Sequence, residues 1–369
     1  MFRFTGKLLS ITASALMVTT AFTSAQSLAE LETAAKAEGM LTTIALPHSW
    51  CNYGDVIASF KAKYPEIKVN ELNPDAGSAD ELEAIRANKD NKGPQAPDVI
   101  DVGLSFGPAA QAEGLIQPYK VSTWDTIPDD AKEAGGHWYG DYYGVMSFLV
   151  NTDIVDNVPT SFADLLKPEY AGMVALAGDP RASNQAILGV LAAGIARGGQ
   201  PGAESAEKGL EFFKELNAAG NFVPVIGKAG TLAQGTTPII IAWDYNALAW
   251  RDTFQGNPSA EVVVPSDVTL AGVYVQAISA YAPQPNAAKL WMEHLYSDEG
   301  QLGWLSGYCH PIRFNDLVAR GVVPQEMLDK LPPADAYERA VFPTVDQVNA
   351  NSEGVKANWD SVVGANVVQ

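Results

Sequence analysis

The stretch Pro238–Asp252, PIIIAWDYNALAWRD, constrains the fold more than any other part of the chain. Ile239, Ile240, Ile241 and Ala242 are apolar on every side, the pattern of a strand covered on both faces. The run ends in Trp243-Asp244-Tyr245-Asn246, and Ala247–Trp250 resumes with helical character. In open α/β sheets a small molecule sits beyond the carboxyl ends of the strands. These four residues are therefore a candidate clamp. The competing reading is a turn with a core Trp and an Asp capping the next helix.

The chain ahead of this stretch alternates. Leu28–Glu38 has helical spacing and stops at Gly39, a natural left-handed cap. Met40–Leu46 reads as a strand, Asp55–Tyr64 as a helix ended by Pro65, and Ile67–Leu72 as a second strand. A helix starts at Ser78 with capping-box spacing. Asp98–Val102 is a short buried strand, and Pro108–Glu113 a helix. Three such alternations predict an α/β fold, mostly parallel, with helices on both faces.

Beyond it, Trp138–Val150 is extended, Pro159–Leu166 a short capped helix, and Met173–Ala177 a strand. Gln185–Arg197 and Ala203–Ala219 are helices; Glu261–Val264 and Gly272–Ala280 are strands. Asn286–Tyr296 and Glu299–Ser306 are helices, and the residues after Asp316 read as capped helices with no new sheet. A second α/β unit at Val150–Pro265, framed by extended segments, predicts two lobes with a cleft. The expected division is 26–147 with 270–320 in one lobe and 148–269 with 321–369 in the other.

Residues 1–25 have the layout of a cleaved export signal: basic Arg3 and Lys7, an apolar run Leu8–Met17, and small residues Thr23-Ser24-Ala25. No later run of about 18 residues is apolar enough to span a membrane. The expected compartment is the periplasm. Without Arg3 and Lys7 the chain carries 22 basic and 43 acidic residues. That balance argues against nucleic acid or an anionic membrane as a partner. The two cysteines, Cys51 and Cys309, form a disulfide if the compartment is oxidising, and are otherwise two buried thiols.

An ordered set of short motifs carries a resemblance. Pro97-Asp98-Val99, Ala112-Glu113-Gly114-Leu115, Gly136-His137-Trp138-Tyr139-Gly140, Val150-Asn151-Thr152-Asp153, Asp179-Pro180-Arg181-Ala182-Ser183 and Gly307-Tyr308 before Pro311 occur in this order. The set resembles the extracellular solute-binding proteins of bacterial ABC importers, in the group with ferric-iron and polyamine binders. The resemblance implies a type II periplasmic-binding-protein fold whose lobes close on a small solute by a hinge. It implies a monomer without catalytic activity or cofactor, delivering its solute to a membrane permease. Ferric-iron binders carry adjacent tyrosines at the clamp, whereas Trp243-Asp244-Tyr245 supplies one. Polyamine binders carry an aromatic and then an Asp on the strand matching Val273–Ile278. Here Tyr274 fits, and Gln276 replaces the carboxylate.

Charge complementarity suggests roles. Arg181, Ser183 and Asn184 precede a helix, where free N–H groups and a guanidinium suit an anion; the plainer reading is an N-cap and a surface Arg. Asp244 suits an ammonium, and Trp50, Tyr53, Tyr142, Tyr143, Trp243, Tyr245 and Tyr274 offer faces for cation–π contact, with one of Tyr142 and Tyr143 expected to face the cleft. Many aromatics are simply core. Ser105, at the end of the third strand, and Gln276 add polar contacts. Together these suggest a short zwitterion of the 4-aminobutyrate kind, with a polyamine such as putrescine or spermidine next and ferric iron third. A rival from another class is an esterase, since Gly103-Leu104-Ser105-Phe106-Gly107 matches G-x-S-x-G, with His294 or His310 downstream. The four histidines show no H-E-x-x-H spacing, and neither a Walker A loop nor a dinucleotide fingerprint is present.

Overall fold

Ser27 starts the fold by capping helix α1 (Leu28–Glu38), its hydroxyl accepting from the Glu30 N–H while the Glu30 carboxylate accepts from the Ser27 N–H. Gly39, at φ 69°, ends that helix. In this computed structural model, residues 27–331 and 339–368 are described. The export signal read at 1–25 lies outside them.

β1 (Met40–Ile44) and β2 (Lys68–Leu72) pair in parallel around helix α2 (Tyr53–Lys63). After α3 (Ser78–Ala87), β3 (Val99–Gly103) lies beside β1. Asp98 fixes that edge twice: its N–H donates to Thr42 O at 2.8 Å, and its carboxylate accepts from the Thr42 N–H at 2.7 Å. α4 (Phe106–Ala112) and β4 (Ile116–Gln117) complete this part.

The longest strand, β5 (Tyr139–Asn151), joins two groups of strands. Its first half pairs with β9 (Ala271–Ser279) and β10 (His310–Pro311). From Met146 onward it pairs with β7 (Ile239–Trp243) and β8 (Ala260–Val263). β6 (Val174–Leu176) adds to β7 in parallel. The sheet is mixed: the ladders of β5 and β9 are antiparallel, against the mostly parallel expectation. The reason is connectivity. β8 and β9 follow one another along β5 with no helix between them, so both run back against it, and a parallel pairing needs a crossover.

Helices α5 (Asn184–Ala196) and α6 (Ala203–Ala218) pack together, α5 being buried along nearly its whole length. Gly194 permits their approach, since a Cβ there would stand 1.9 Å from Ser205 O. α7 (Ala229–Ala233) and α8 (Asp244–Phe254) flank β7. α9 (Pro285–Leu295) packs on α1, and α10 (Asp298–Ser306), α11 (Phe314–Ala319) and α12 (Gln325–Leu328) follow. α13 (Val345–Val362) returns to α6 and α5. The helix expected at Pro159–Leu166 is only a 3₁₀ turn, Asp164–Leu166, because Pro168 pushes Lys167 out of the helical region. Cys51 and Cys309 are joined with Cα atoms 5.4 Å apart, tying the loop after β1 to the turn before β10.

Candidate functional site

The carboxyl ends of β1, β2, β3 and β6 open onto one cleft of about 610 Å³. One wall carries Pro47–Trp50, the Pro74–Glu81 loop and Asp101; the other carries Ala177–Asn184, Ile226–Gly230, and Asn246 and Trp250 on α8. Tyr142 of β5 and Tyr274 of β9 lie between them. The two walls meet closely. A Cβ on Gly77 would lie 3.8 Å from Ala182 O, and one on Gly103 would lie 2.3 Å from the Asn184 side chain.

Asp101 forms the floor, with Glu81 beside it on the wall and Asp141 buried behind it. Asp101 accepts on Oδ2 from the Tyr53 and Tyr142 hydroxyls, each at 2.7 Å. Asp141 accepts from the Tyr142 N–H at 2.6 Å and from Gln276 Nε2 at 3.1 Å. Glu81 accepts from the Asp101 N–H at 2.9 Å. Burial pushes Asp101 up to about 6, against the pull of the Tyr53 and Tyr142 hydroxyls. Asp141 is raised well above the usual carboxylate range by burial and then by the Asp101 charge, and Glu81 likewise. Among the described residues none of the three has a Lys, Arg or His within ion-pair distance. Above the floor, Trp50 Nε1 donates to the Tyr142 hydroxyl at 2.7 Å, and Trp50 meets the Tyr274 ring edge-on at 5.4 Å. Tyr142 and Tyr274 stack at 5.6 Å. Among the described residues the charged side chains on the walls are Asp75, Asp80, Glu81, Asp101 and Asp179, with Lys228 the one cation.

Of the residues expected from the sequence, Trp50, Tyr142, Ser183, Asn184, Asn246 and Tyr274 line the cleft. The rest do not. Tyr53 and Gln276 lie one layer behind it, where Gln276 Nε2 donates to the Tyr53 hydroxyl at 2.8 Å. The Trp243–Tyr245 corner is fully buried. Trp243 packs over Gly272, Tyr245 meets the Trp50 ring edge-on, and Asp244 accepts from the Val145 N–H at 2.9 Å, tying α8 to β5. α8 begins at Asp244, so the cleft receives residues from later in its first turns, Asn246 and Trp250. Tyr143 points to the opposite face and stacks on His310 at 5.0 Å, leaving Tyr142 to the cleft.

Arg181 turns outward. Its guanidinium grips the Asp179 carboxylate, with contacts of 2.8–3.1 Å, and reaches Asp360 at 3.2 Å. It is not available as an anion clamp. Ser105 precedes α4 off the cleft and has no hydrogen bond to either downstream histidine; His294 pairs with Ser59 and His310 faces Tyr143. No nucleophile–base pair is formed there. Asp101, Glu81 and Asp141 were not anticipated, although an acid inside the otherwise apolar Val99–Gly103 is a sequence signal.

A family model for bacterial extracellular solute-binding proteins matches residues 95–338. No curated protein sequence matches the chain significantly. Among solved structures, the periplasmic binding protein AfuA of Actinobacillus pleuropneumoniae, with fructose-6-phosphate bound, is similar at 22% identity, covering 88% of this chain and 98% of that one, with a TM-score of 0.67. Iron-bound HitA of Pseudomonas aeruginosa is similar at 17% identity, covering 87% and 99%, with a TM-score of 0.64. MotA of A. tumefaciens B6, in complex with glucopine, is similar at 16% identity, covering 88% and 99%, with a TM-score of 0.67. At such identities the likeness shows the fold, a two-lobed α/β architecture closing on a cleft. With two thirds of its length matched and its strand ends opening on that cleft, the chain belongs to the bacterial extracellular solute-binding proteins.

Proposed function

We propose that this solute-binding protein captures a small amine-bearing cation in the periplasm and presents it to an ABC permease, with a di- or polyamine such as putrescine or spermidine favoured over a 4-aminobutyrate-like zwitterion. One observation carries the reading. Asp101 sits at the cleft floor with two tyrosine hydroxyls donating to one oxygen, beneath the Trp50 and Tyr274 rings. A carboxylate below aromatic faces suits an ammonium, and cation–π attraction adds about 0.5–2 kcal/mol when the site is desolvated. Arg181, needed for the acid end of a zwitterion, is held by Asp179 and Asp360. Ferric iron wants several anionic oxygens converging on one point. Among the described residues no group of three His, Cys, Asp or Glu is arranged to hold a metal.

The lobes follow from β5. Ligand bridging the two walls selects the closed form, and the closed pair of lobes is what the permease reads. Calorimetric titration of the purified protein with putrescine, spermidine, 4-aminobutyrate and ferric citrate tests the reading. Micromolar binding of putrescine or spermidine, lost in Asp101→Asn, is the expected result. Heat with ferric citrate or 4-aminobutyrate alone overturns it.

A further inference from the structure

Asp101 and Asp141 are both buried in one hydrogen-bond network: Gln276 Nε2 donates to Asp141 Oδ2 at 3.1 Å and to the Tyr53 hydroxyl at 2.8 Å, and that hydroxyl donates to Asp101 Oδ2 at 2.7 Å. Each carboxyl feels the other directly, and among the described residues neither brings a cation with it. Asp101 Oδ1 is buried and receives no N–H or O–H from the described residues. Asp141 has both oxygens occupied by donors, Tyr142 N–H and Gln276 Nε2. Two carboxylates in contact inside protein cannot both ionise, so such a pair holds one proton between them. That proton supplies the donor Asp101 lacks.

The groups that face the pair come from every element packed on it, and each is an acid. Tyr53 of α2, Glu81 of α3, Tyr142 of β5, Tyr245 of α8, Tyr274 of β9 and Tyr296 after α9 all interact with it electrostatically. Gln276 is its remaining polar neighbour. Only Asp101 of the two reaches the cleft. A cation arriving from the cleft therefore does for Asp101 what the proton does from behind.

We infer that amine and proton compete for the Asp101–Asp141 pair, so that capture of the solute expels a proton and the grip weakens in acid. This rests on the amine reading above and deepens it. The exchange is balanced: the ammonium brings one positive charge to the floor, and the proton between the carboxyls leaves to solvent as the second carboxylate forms. Partial release is expected where the free pair is only partly protonated.

Calorimetry of putrescine binding at pH 6–7, repeated in buffers of different ionisation enthalpy, counts the protons. The expected result is release approaching one proton per amine, with apparent affinity falling up to about tenfold per pH unit on the acid side. Infrared difference spectra at pH 7 should show a protonated-carboxyl component that is lost in Asp141→Asn and on saturation with amine, over a background from Glu81 and Asp98 that neither change removes. In Asp141→Asn the proton count should fall toward zero and the affinity should lose its acid dependence. Amine heat with no buffer dependence, or a carboxyl band unmoved by ligand, overturns the exchange while leaving the amine reading standing. No heat with any amine removes both.

Discussion

The Asn184 side chain lies against the Cα of Gly103, leaving a gap that a Cβ would fill to within 2.3 Å of Asn184. Gly103 ends β3 on one wall, and Asn184 opens α5 on the other. Both are buried or nearly so, so neither has room to retreat. The pair marks how closely the walls approach. Gly103→Val should therefore prop the lobes apart. Ligand affinity is expected to fall at least about tenfold, or ~1.4 kcal/mol, while the melting temperature without ligand stays nearly constant. Unchanged affinity measured by calorimetry would show that closure does not pass through this contact.

Trp50 joins the cleft wall to its floor. Its ring touches Tyr245 and Tyr274 edge-on, both at 5.4 Å, and its N–H holds the Tyr142 hydroxyl. Trp50→Ala removes an aromatic face for an ammonium and one support of Tyr142. An affinity loss of roughly 3- to 30-fold is expected from cation–π loss of about 0.5–2 kcal/mol. Quenching of tryptophan fluorescence by ligand should weaken in parallel. A ligand that binds Trp50→Ala as well as the parent is not held by that face.

Arg181 makes the opposite prediction. Its partners Asp179 and Asp360 are partly exposed, and such ion pairs contribute about 0–1 kcal/mol. Arg181→Ala should leave ligand affinity within about twofold, a change of ~0.4 kcal/mol or less. A loss of a hundredfold would return Arg181 to the ligand and favour a zwitterion.

The Cys51–Cys309 bond fastens the loop bearing Trp50 to the turn before β10, across a sequence separation of 258. Closing so long a loop restricts the unfolded chain by about 5–6 kcal/mol on the chain-entropy account. The Cys51→Ser, Cys309→Ser double variant should melt roughly 7–8 °C lower, given the unfolding entropy of a chain this size. Thermal melts with and without reductant check this, and the parent should move toward the variant only when reduced.

Much of the fold was legible because apolar runs and Gly or Pro boundaries set the elements locally. α1 ends at Gly39 as its sequence requires, and β7 is the fully covered strand that three consecutive isoleucines demand. The direction of β9 was not legible, since it depends on how β8 and β9 share β5. The site was harder. Sequence points to the residues just past a strand, but α8 starts immediately after β7 and turns Asp244 and Tyr245 inward, so of the four expected residues Asn246 alone reaches the cleft, joined by Trp250 from the next turns. At Tyr142-Tyr143 the register of β5 shifts between Gly140 and Tyr143, and alternation read along the sequence cannot choose the inward residue there. Asp141 depends on pairing across the sheet with Gln276, which no local pattern encodes.

Two groups of buried titratable residues pull stability in opposite directions with pH. Burial lowers His294 and His310 from 6.5 to about 4. Between those values the unfolded chain binds protons that the folded one refuses, so stability falls as pH drops from about 6.5 toward 4. Asp98, raised by burial to about 7, acts in reverse: the folded chain keeps a proton that the unfolded chain releases, and stability falls as pH rises from about 4 to 7. The parent should thus show a shallow pH profile in this window. His294→Gln removes one acid-sensitive limb while keeping a polar group near Ser59, which contacts His294 Nε2 at 2.9 Å. Relative to the parent, this variant should gain about 2 kcal/mol at pH 5 over its standing at pH 7.5, from the linkage of a group titrating near 4 when folded and 6.5 when unfolded. Urea melts at the two pH values measure that difference. Equal shifts at both would mean that His294 takes up its proton in the folded protein.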